Sequence, residues 1–493
     1  MLPELTREAG RRFGASPAIV AEDGWALSYT DLDRISDEVA AGLLQRGISE
    51  GAVVALALPT IPEYLVAYLA IAKVGGITTG VNSRLSVPER DAVLGIADPA
   101  LVLATTELAP ARGEVFEVVP AGSADSLLSP LRRRGEAPAP LSADDDRRVA
   151  IVFTSGTTGT PKGALFCTRQ LAAVTAIDVG DRWGGGGRSL AGTSLAHLGP
   201  MTKLAGSLRL GGTMYLTRRW RADDALRRVQ EDRLTSFGGI PTQLALMLAQ
   251  PDFDRYDLSS IQAIVIGGGP ATPALVREVR ARFKAALAVR YSCTEAAIGV
   301  GTTFDDPEED AEVTVGRPQR GIGLAVLDDD DNPVKEGDVG NICLRSGAVM
   351  SGYYRDAAAT AAAFTTDGFV RTGDLGWVDD RGRLRLTGRA KEMYVRGGYN
   401  VYPAEVEAVL AEHPTVASVC VVARPDDVMG EVGVAFVVVR SETAPDLVAL
   451  REFGRSRLAG YKLPDELRLV DELPLTPMDK VDRRALAAQA AQP

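Results

Sequence analysis

Residues 149–153, Val-Ala-Ile-Val-Phe, read as a strand that runs without a spacer into Thr154-Ser155-Gly156-Thr157-Thr158-Gly159-Thr160-Pro161-Lys162-Gly163. These ten residues hold five hydroxyls, three glycines and one lysine. Glycines let backbone N–H groups turn toward one point, the hydroxyls add donors, and Lys162 adds a positive charge, which together make a phosphate cradle. It is not a Walker loop. That motif needs Gly before its lysine and Ser or Thr after it, whereas Pro161 and Gly163 stand there. The alternative is a flexible polar turn, the ordinary role of a short Gly/Ser/Thr cluster. The position directly after an apolar strand, together with the lysine, favours the cradle.

The flanking sequence supplies an architecture for such a loop. Thr30 with Asp33 three positions on predicts a helix start, and Leu32, Ile35, Val39 and Leu43 recur at helical spacing. Gly47 ends that helix. An apolar strand at 53–58, a helix over 61–74 and a strand at 77–81 then complete a β-α-β pattern. Residues 121–146, rich in Ala, Pro and Ser with Arg132-Arg133-Arg134 and Asp144-Asp145-Asp146, read as a solvated loop. Strands follow at 261–266 and 287–290, and short strands divided by turns fill 321–389. Beyond them come a helix at 403–411, strands at 416–423 and 432–439, and a helix at 447–458. The expected fold class is α/β: a large N-terminal body of several subdomains over 1–389 and a small α+β domain over 390–493.

Composition narrows the chemistry. At one domain per roughly 150 residues, 493 residues make about three folding units. A formal charge of −11 argues against nucleic acid as a partner, since phosphate contacts want a basic surface. The four cysteines, Cys167, Cys293, Cys343 and Cys420, form no CxxC pair, so neither a disulfide scaffold nor a thiolate zinc site is expected. Only His197 and His413 are present, which excludes multi-histidine metal centres. The N-terminus alternates charges, and the longest apolar stretch, 65–74, is broken by Lys73 and too short to span a bilayer. A cytoplasmic protein without a membrane span is the expectation.

The loop resembles the signature phosphate-binding loop of the adenylate-forming superfamily: acyl- and aryl-CoA synthetases, adenylation domains of peptide synthetases, and luciferases. Further landmarks follow in the family's order. Tyr291-Ser292-Cys293-Thr294-Glu295 resembles the aromatic-x-x-Thr-Glu motif, and Thr372-Gly373-Asp374 the ribose-binding Thr-Gly-Asp. Gly388-Arg389-Ala390-Lys391-Glu392 resembles the hinge, and Gly397-Gly398-Tyr399-Asn400-Val401-Tyr402-Pro403 the stretch beyond it. The stretch 475–481 resembles the terminal lysine segment. The likeness covers nearly the whole chain and is greatest to an acyl-CoA synthetase.

The resemblance implies two half-reactions. A carboxylate attacks the α-phosphate of ATP to give acyl-AMP and pyrophosphate; a thiol, usually coenzyme A, then displaces AMP. Joining two anions calls for cations and backbone dipoles rather than an acid–base pair. By resemblance Thr154, Ser155, Gly156, Thr157, Thr158 and Lys162 hold the β- and γ-phosphates, Glu295 ligates Mg2+, and Thr294 contacts the α-phosphate. Tyr291 packs on adenine with Gly268-Gly269-Pro270 opposite, and Asp374 accepts from the ribose hydroxyls with Arg389 assisting. Lys480, on a mobile C-terminal domain, reaches the carboxylate and α-phosphate. Lys391 is the hinge, and Gly397 and Gly398 line the path of the CoA arm. His197 sits at the mouth of the acyl and thiol tunnels; Met201, Phe237, Gly267 and Ala296 belong to the acyl wall. Taken singly, each has a plain structural role: a lone Glu after Thr is ordinarily solvated, Thr-Gly-Asp is ordinarily a turn, and His413 reads as a surface helix end.

Two points stay open. The family usually has Gly before the terminal lysine, and here Asp479 stands there. Asp lacks glycine's freedom at positive φ. Either it is a tolerated variant whose side chain points to solvent, or it weakens adenylation and leaves thioesterification of supplied acyl-AMP as the better half-reaction. The wall residues, apolar or small, point to an apolar monocarboxylic acid, aliphatic, alicyclic or aryl, with glycines leaving room for a bulky one. CoA is the expected acceptor, an acyl carrier protein the rival, and an oligomer such as a dimer is compatible with the sequence.

Overall fold

The computed structural model describes residues 2–154, 161–440 and 444–492. A seven-stranded sheet carries four βαβ-type parallel neighbours, Val53–Ala57, Ile77–Gly80, Leu101–Ala104 and Arg148–Thr154, with Val115–Glu117 parallel at one edge. Lys162–Cys167 runs antiparallel beside Arg148–Thr154, pairing Thr154 with Lys162, and Gly352–Tyr353 forms the edge beyond it. The glycine- and threonine-rich loop therefore joins two hydrogen-bonded strands at their ends. Its residues Ser155, Gly156, Thr157 and Thr158 lie outside the described residues.

A second, nine-stranded sheet is built on the parallel strands Arg188–Leu190, Ser236–Gly239, Ala263–Gly267 and Ala286–Tyr291. A four-stranded antiparallel sheet follows: Gly323–Leu327, Gly340–Arg345, Val370–Val378 and Leu384–Arg389. Beyond residue 390 a separate five-stranded sheet, led by the long hairpin Val416–Asp426 and Gly430–Val439, packs against helices Pro403–Leu410, Leu447–Arg455 and Arg483–Ala490. We call this part the cap and the rest the body.

Burial explains the central helix Pro62–Lys73. Every one of its residues is buried, so it is enclosed on all sides and largely apolar rather than apolar on one stripe. Its single cation, Lys73, is matched by Asp33 and Asp37, each at 2.7 Å. The apolar stretch that is too short for a membrane is thus a core helix. Among the described residues no helix is long and apolar enough to cross a membrane, and all four cysteines are free.

Three expectations change. The helix expected to be capped by Thr30 starts at Tyr29 and is capped by Ser28, whose hydroxyl accepts from Asp31 N–H at 3.1 Å; Ser28 has the extended backbone of a cap (φ −74°, ψ 164°), while Thr30 lies inside the helix. Residues 121–146 form no helix or strand, as expected, yet are not simply solvated: Leu127, Leu128 and Leu131 are buried, and Arg132 reaches Glu38 at 2.7 Å in the interior. Polar composition concealed those anchors. Within 321–389, Ala357–Ala363 is a helix, capped by Asp356, where only strands and turns were expected.

Candidate active site

Strand pairing assembles the first part of the site. The strands Val370–Val378 and Leu384–Arg389 set Asp374 directly across from Arg389. Arg389 Nε donates to Asp374 Oδ1 at 2.9 Å, and Tyr291 OH, from the end of Ala286–Tyr291 in the other sheet, donates to Asp374 Oδ2 at 2.8 Å. Each carboxylate oxygen keeps a further lone pair, so Asp374 can still accept from a diol. Burial, reinforced by Asp374, holds the Tyr291 phenol far above its usual range. Tyr291 is thus both a ring beside the cleft and the link between two sheets.

The second part concerns the expected magnesium. Tyr353 OH donates to Glu295 Oε1 at 2.6 Å, and Lys162 Nζ lies 5.1 Å from the Tyr353 ring centroid. The loop's lysine and the motif's glutamate therefore meet on one tyrosine. Among the described residues no three His, Cys, Asp or Glu side chains converge. One carboxylate, with an oxygen still open to a cation, suits Mg2+, which prefers one or two carboxylates plus substrate phosphates. The donor set fits the ion. Thr294 is half-buried beside it. Burial and the Glu295 charge push the Cys293 thiol well up, so this cysteine is a poor nucleophile.

The strand Ala263–Gly267 ends at an exposed run, Gly268-Gly269-Pro270, where Gly268 has φ +78°. A residue with a side chain would strain that turn. Thr272 then caps the next helix, Pro273–Phe283.

The third part lies where cap and body meet. The hairpin 475–481 turns at Thr476: Thr476 N–H donates to Lys480 O at 2.7 Å and Asp479 N–H to Thr476 O at 3.0 Å. This presents Lys480 toward Asp374, Arg389 and His197. Desolvation and the Arg389 charge lower its pKa, opposed by Asp374. Among the described residues Lys480 forms no salt bridge. His197 precedes the helix Leu198–Leu210, and burial together with the charges of Lys480 and Arg84 pushes its pKa down to about 4. Asn82 Nδ2 lies 3.2 Å from His197 Nε2. Because Asn82 Oδ1 accepts from Arg84 N–H at 3.0 Å, its nitrogen faces the ring. Nε2 therefore accepts and the proton sits on Nδ1. With its pKa pushed down to about 4, His197 is neutral at neutral pH.

The wall residues divide. Met201, one turn past His197, and Ala296 are buried, and Gly267 is half-exposed. Phe237 differs from expectation. It packs with Leu244, Ile264 and Ile266 in the core beneath the sheet, and the exposed residue of that strand is its neighbour Gly238. Strand alternation sends the large side chain inward. At Gly199 and Gly238 a Cβ would meet nothing within 4 Å.

On the cap, Gly397 (φ +56°) and Gly398 (φ +87°) form the two-residue turn between Tyr394–Arg396 and Tyr399–Val401. Gly397 N–H bonds to Met429 O at 2.8 Å. Ala390 N–H, next to Lys391, donates to Gly373 O at 3.3 Å, which ties the link between body and cap to the Asp374 turn.

A model of the AMP-binding enzyme family matches residues 6–354, and one of the AMP-binding enzyme C-terminal domain matches 405–480. The chain belongs to the AMP-binding enzyme family. Among its relatives is the indoleacetate–CoA ligase of Aromatoleum aromaticum, 34% identical over 483 residues that cover 94% of each chain. The fatty acid–acyl-carrier-protein ligase ScoC of Streptomyces coeruleorubidus is 31% identical over 492 residues, 96% of this chain and 93% of its own. ATP-bound MatB from Rhodopseudomonas palustris has the same fold, with a TM-score of 0.88, 27% identity, and coverage of 100% of this chain and 99% of MatB. In this AMP-binding enzyme, motif reading missed three residues at the site: Asn82, Arg84 and Tyr353. No local pattern marks them, since their partners stand far away in the chain.

Proposed function

We propose that this AMP-binding enzyme is a carboxylate–CoA ligase that converts an apolar, bulky monocarboxylic acid to acyl-AMP and then to the CoA thioester. The observation that carries the reading is the position of Lys480, on the cap and within electrostatic reach of Asp374, Arg389 and His197. A cation there faces the point where carboxylate and α-phosphate must approach, and its charge offsets the charge that develops between them. Thr294 and Arg389 add donors, Asp374 orients the ribose, and Lys162 with the hydroxyls of Thr154, Ser155, Thr157 and Thr158 takes the outgoing pyrophosphate. Glu295 would hold Mg2+, which supplies charge neutralisation on the phosphates. No acid–base residue is required, in keeping with a His197 that stays neutral.

The second half-reaction needs Lys480 withdrawn and the Gly397-Gly398 turn brought to the cleft. Division at 389/390 with rotation about Lys391 is the hinge motion that would do this. The open space at Gly199 and Gly238 leaves width for a ring-bearing acid, and the similarity to an indoleacetate–CoA ligase supports that class. ScoC supports the other acceptor, an acyl carrier protein. Reading Asp479 as a lesion in adenylation is disfavoured because its carboxylate pairs with Arg84 of the body.

A carboxylic-acid panel assayed by ATP–pyrophosphate exchange, followed by mass detection of product with CoA or with a phosphopantetheinylated carrier protein, tests all of this. Exchange with aryl or alicyclic acids and an acyl-CoA product are expected. Acylated carrier protein without acyl-CoA would move the enzyme to the rival class, and thioester formed only from supplied acyl-AMP would overturn the adenylation step.

A further inference from the structure

The residue before Lys480 neither points to solvent nor competes for the lysine. Asp479 has φ +57°, a left-handed backbone that glycine adopts freely and an L-residue at a cost. What Asp adds at that backbone is a carboxylate, and the carboxylate pairs with Arg84 of the body, with its side chain 16% exposed. Two residues earlier on the hairpin, Pro477 O accepts from Asn82 Nδ2 at 3.3 Å. Asn82 is itself buried and uses each of its hydrogen-bonding groups: Oδ1 takes Arg84 N–H, and Nδ2 serves both Pro477 O and His197 Nε2. The loop after Ile77–Gly80 thus grips the lysine hairpin at two points, one charged and one neutral, linked through Asn82.

We propose that Asn82 and Arg84 are positioning residues that catch Pro477 and Asp479, and so place the Lys480 ammonium for adenylation. The catch does two things. It fixes the hairpin on the residue immediately before the lysine, so little chain is left to wander. It also spends the Asp479 charge on Arg84, which leaves Lys480 its full charge for the anionic reactants. When the cap turns away both contacts break, so the strength of the catch sets how readily the enzyme passes to the thiol step. This rests on the role given to Lys480 above, and the decisive measurement therefore uses no substrate.

Spin labels at Val119 on the body and Val428 on the cap, both exposed, report the cap's position by electron–electron distance in the ligand-free full chain. Cys293→Ser serves as background, since the other three cysteines are buried. Wild type should show mainly the docked distance. Arg84→Ala should lower the docked-to-undocked ratio about three- to fivefold, the scale of one partly exposed ion pair. The exchanged pair Arg84→Asp/Asp479→Arg should restore it, which a merely destabilised body would not. The catch is overturned if Arg84→Ala leaves the distribution unchanged, if the exchanged pair fails to restore it, or if wild type lacks the docked distance. A positive result in a chain that proves inactive with every acid would leave the catch standing and refute the ligase reading.

Discussion

The body is held together by apolar contact and the junction between body and cap by polar contact. One core cluster runs from Leu2 through the buried helix Pro62–Lys73 to Leu384, joining all three body sheets. The cap has cores of its own, around Val406 and Val437 and around Phe436 and Leu486, and neither includes a body residue. Across the junction stand ion pairs: Arg84 with Asp479, Arg277 with Glu412 at 2.7 Å, and Arg440 with Glu278 at 3.0 Å. Apolar burial is strong and non-directional, so it resists separation; exposed ion pairs form and break at little net cost. Such a junction is suited to the release that the proposed cycle asks of it.

That contrast is open to direct attack. The largest effect should come from the body's seam: Leu69→Ala, deep in the central helix, should cost about 2–5 kcal/mol, seen in calorimetry as a fall in the body's transition with the cap's unmoved. Lys480→Ala should suppress pyrophosphate exchange about 100-fold or more while thioester formation from supplied acyl-AMP changes only a few-fold; equal losses would remove the division of labour between the two sides.

His197 sharpens the comparison through pH. Its folded pKa, about 4, lies below the ordinary 6.5, because burial and the cap's Lys480 disfavour its cation. The neutral form is the one the fold favours, so stability is whole above about pH 6.5, falls as the pH drops through that window, and levels off below about 4. Near pH 5 the penalty is on the order of 1–2 kcal/mol, and His197→Gln, whose oxygen can still accept from Asn82, should erase it in urea titrations. The smallest effect belongs to the junction's outer pairs: Arg277→Ala or Arg440→Ala should cost about 0.2–1 kcal/mol of docking, read as a modest shift in the spin-label distance and abolished by high salt.

What was legible in the sequence was local. Strand and helix periods located most elements, and contiguous motifs such as 372–374 and 291–295 named residues that the fold then sets side by side, Asp374 against Arg389 and Tyr291. What was illegible depends on distance along the chain. Asn82 meets Pro477, 395 positions on, and Tyr353 meets Glu295, 58 positions back; neither loop nor tyrosine carries a pattern of its own. Phe237 misled for another reason. The resemblance put Phe237 in the acyl wall, but strand alternation turned its side chain into the core and left Gly238 exposed. Asp479 was visible as a departure, yet its meaning lay in a guanidinium that only the folded chain brings near.

Among the described residues no apolar core cluster spans residue 390, which bears on what opening costs. On the proposed cycle the cap lifts away at every turnover and bares the facing surfaces. The pairs named at that junction are carboxylates, guanidinium groups and an amide, which water solvates well. Opening therefore exchanges these charged contacts for contacts with water, at little net cost.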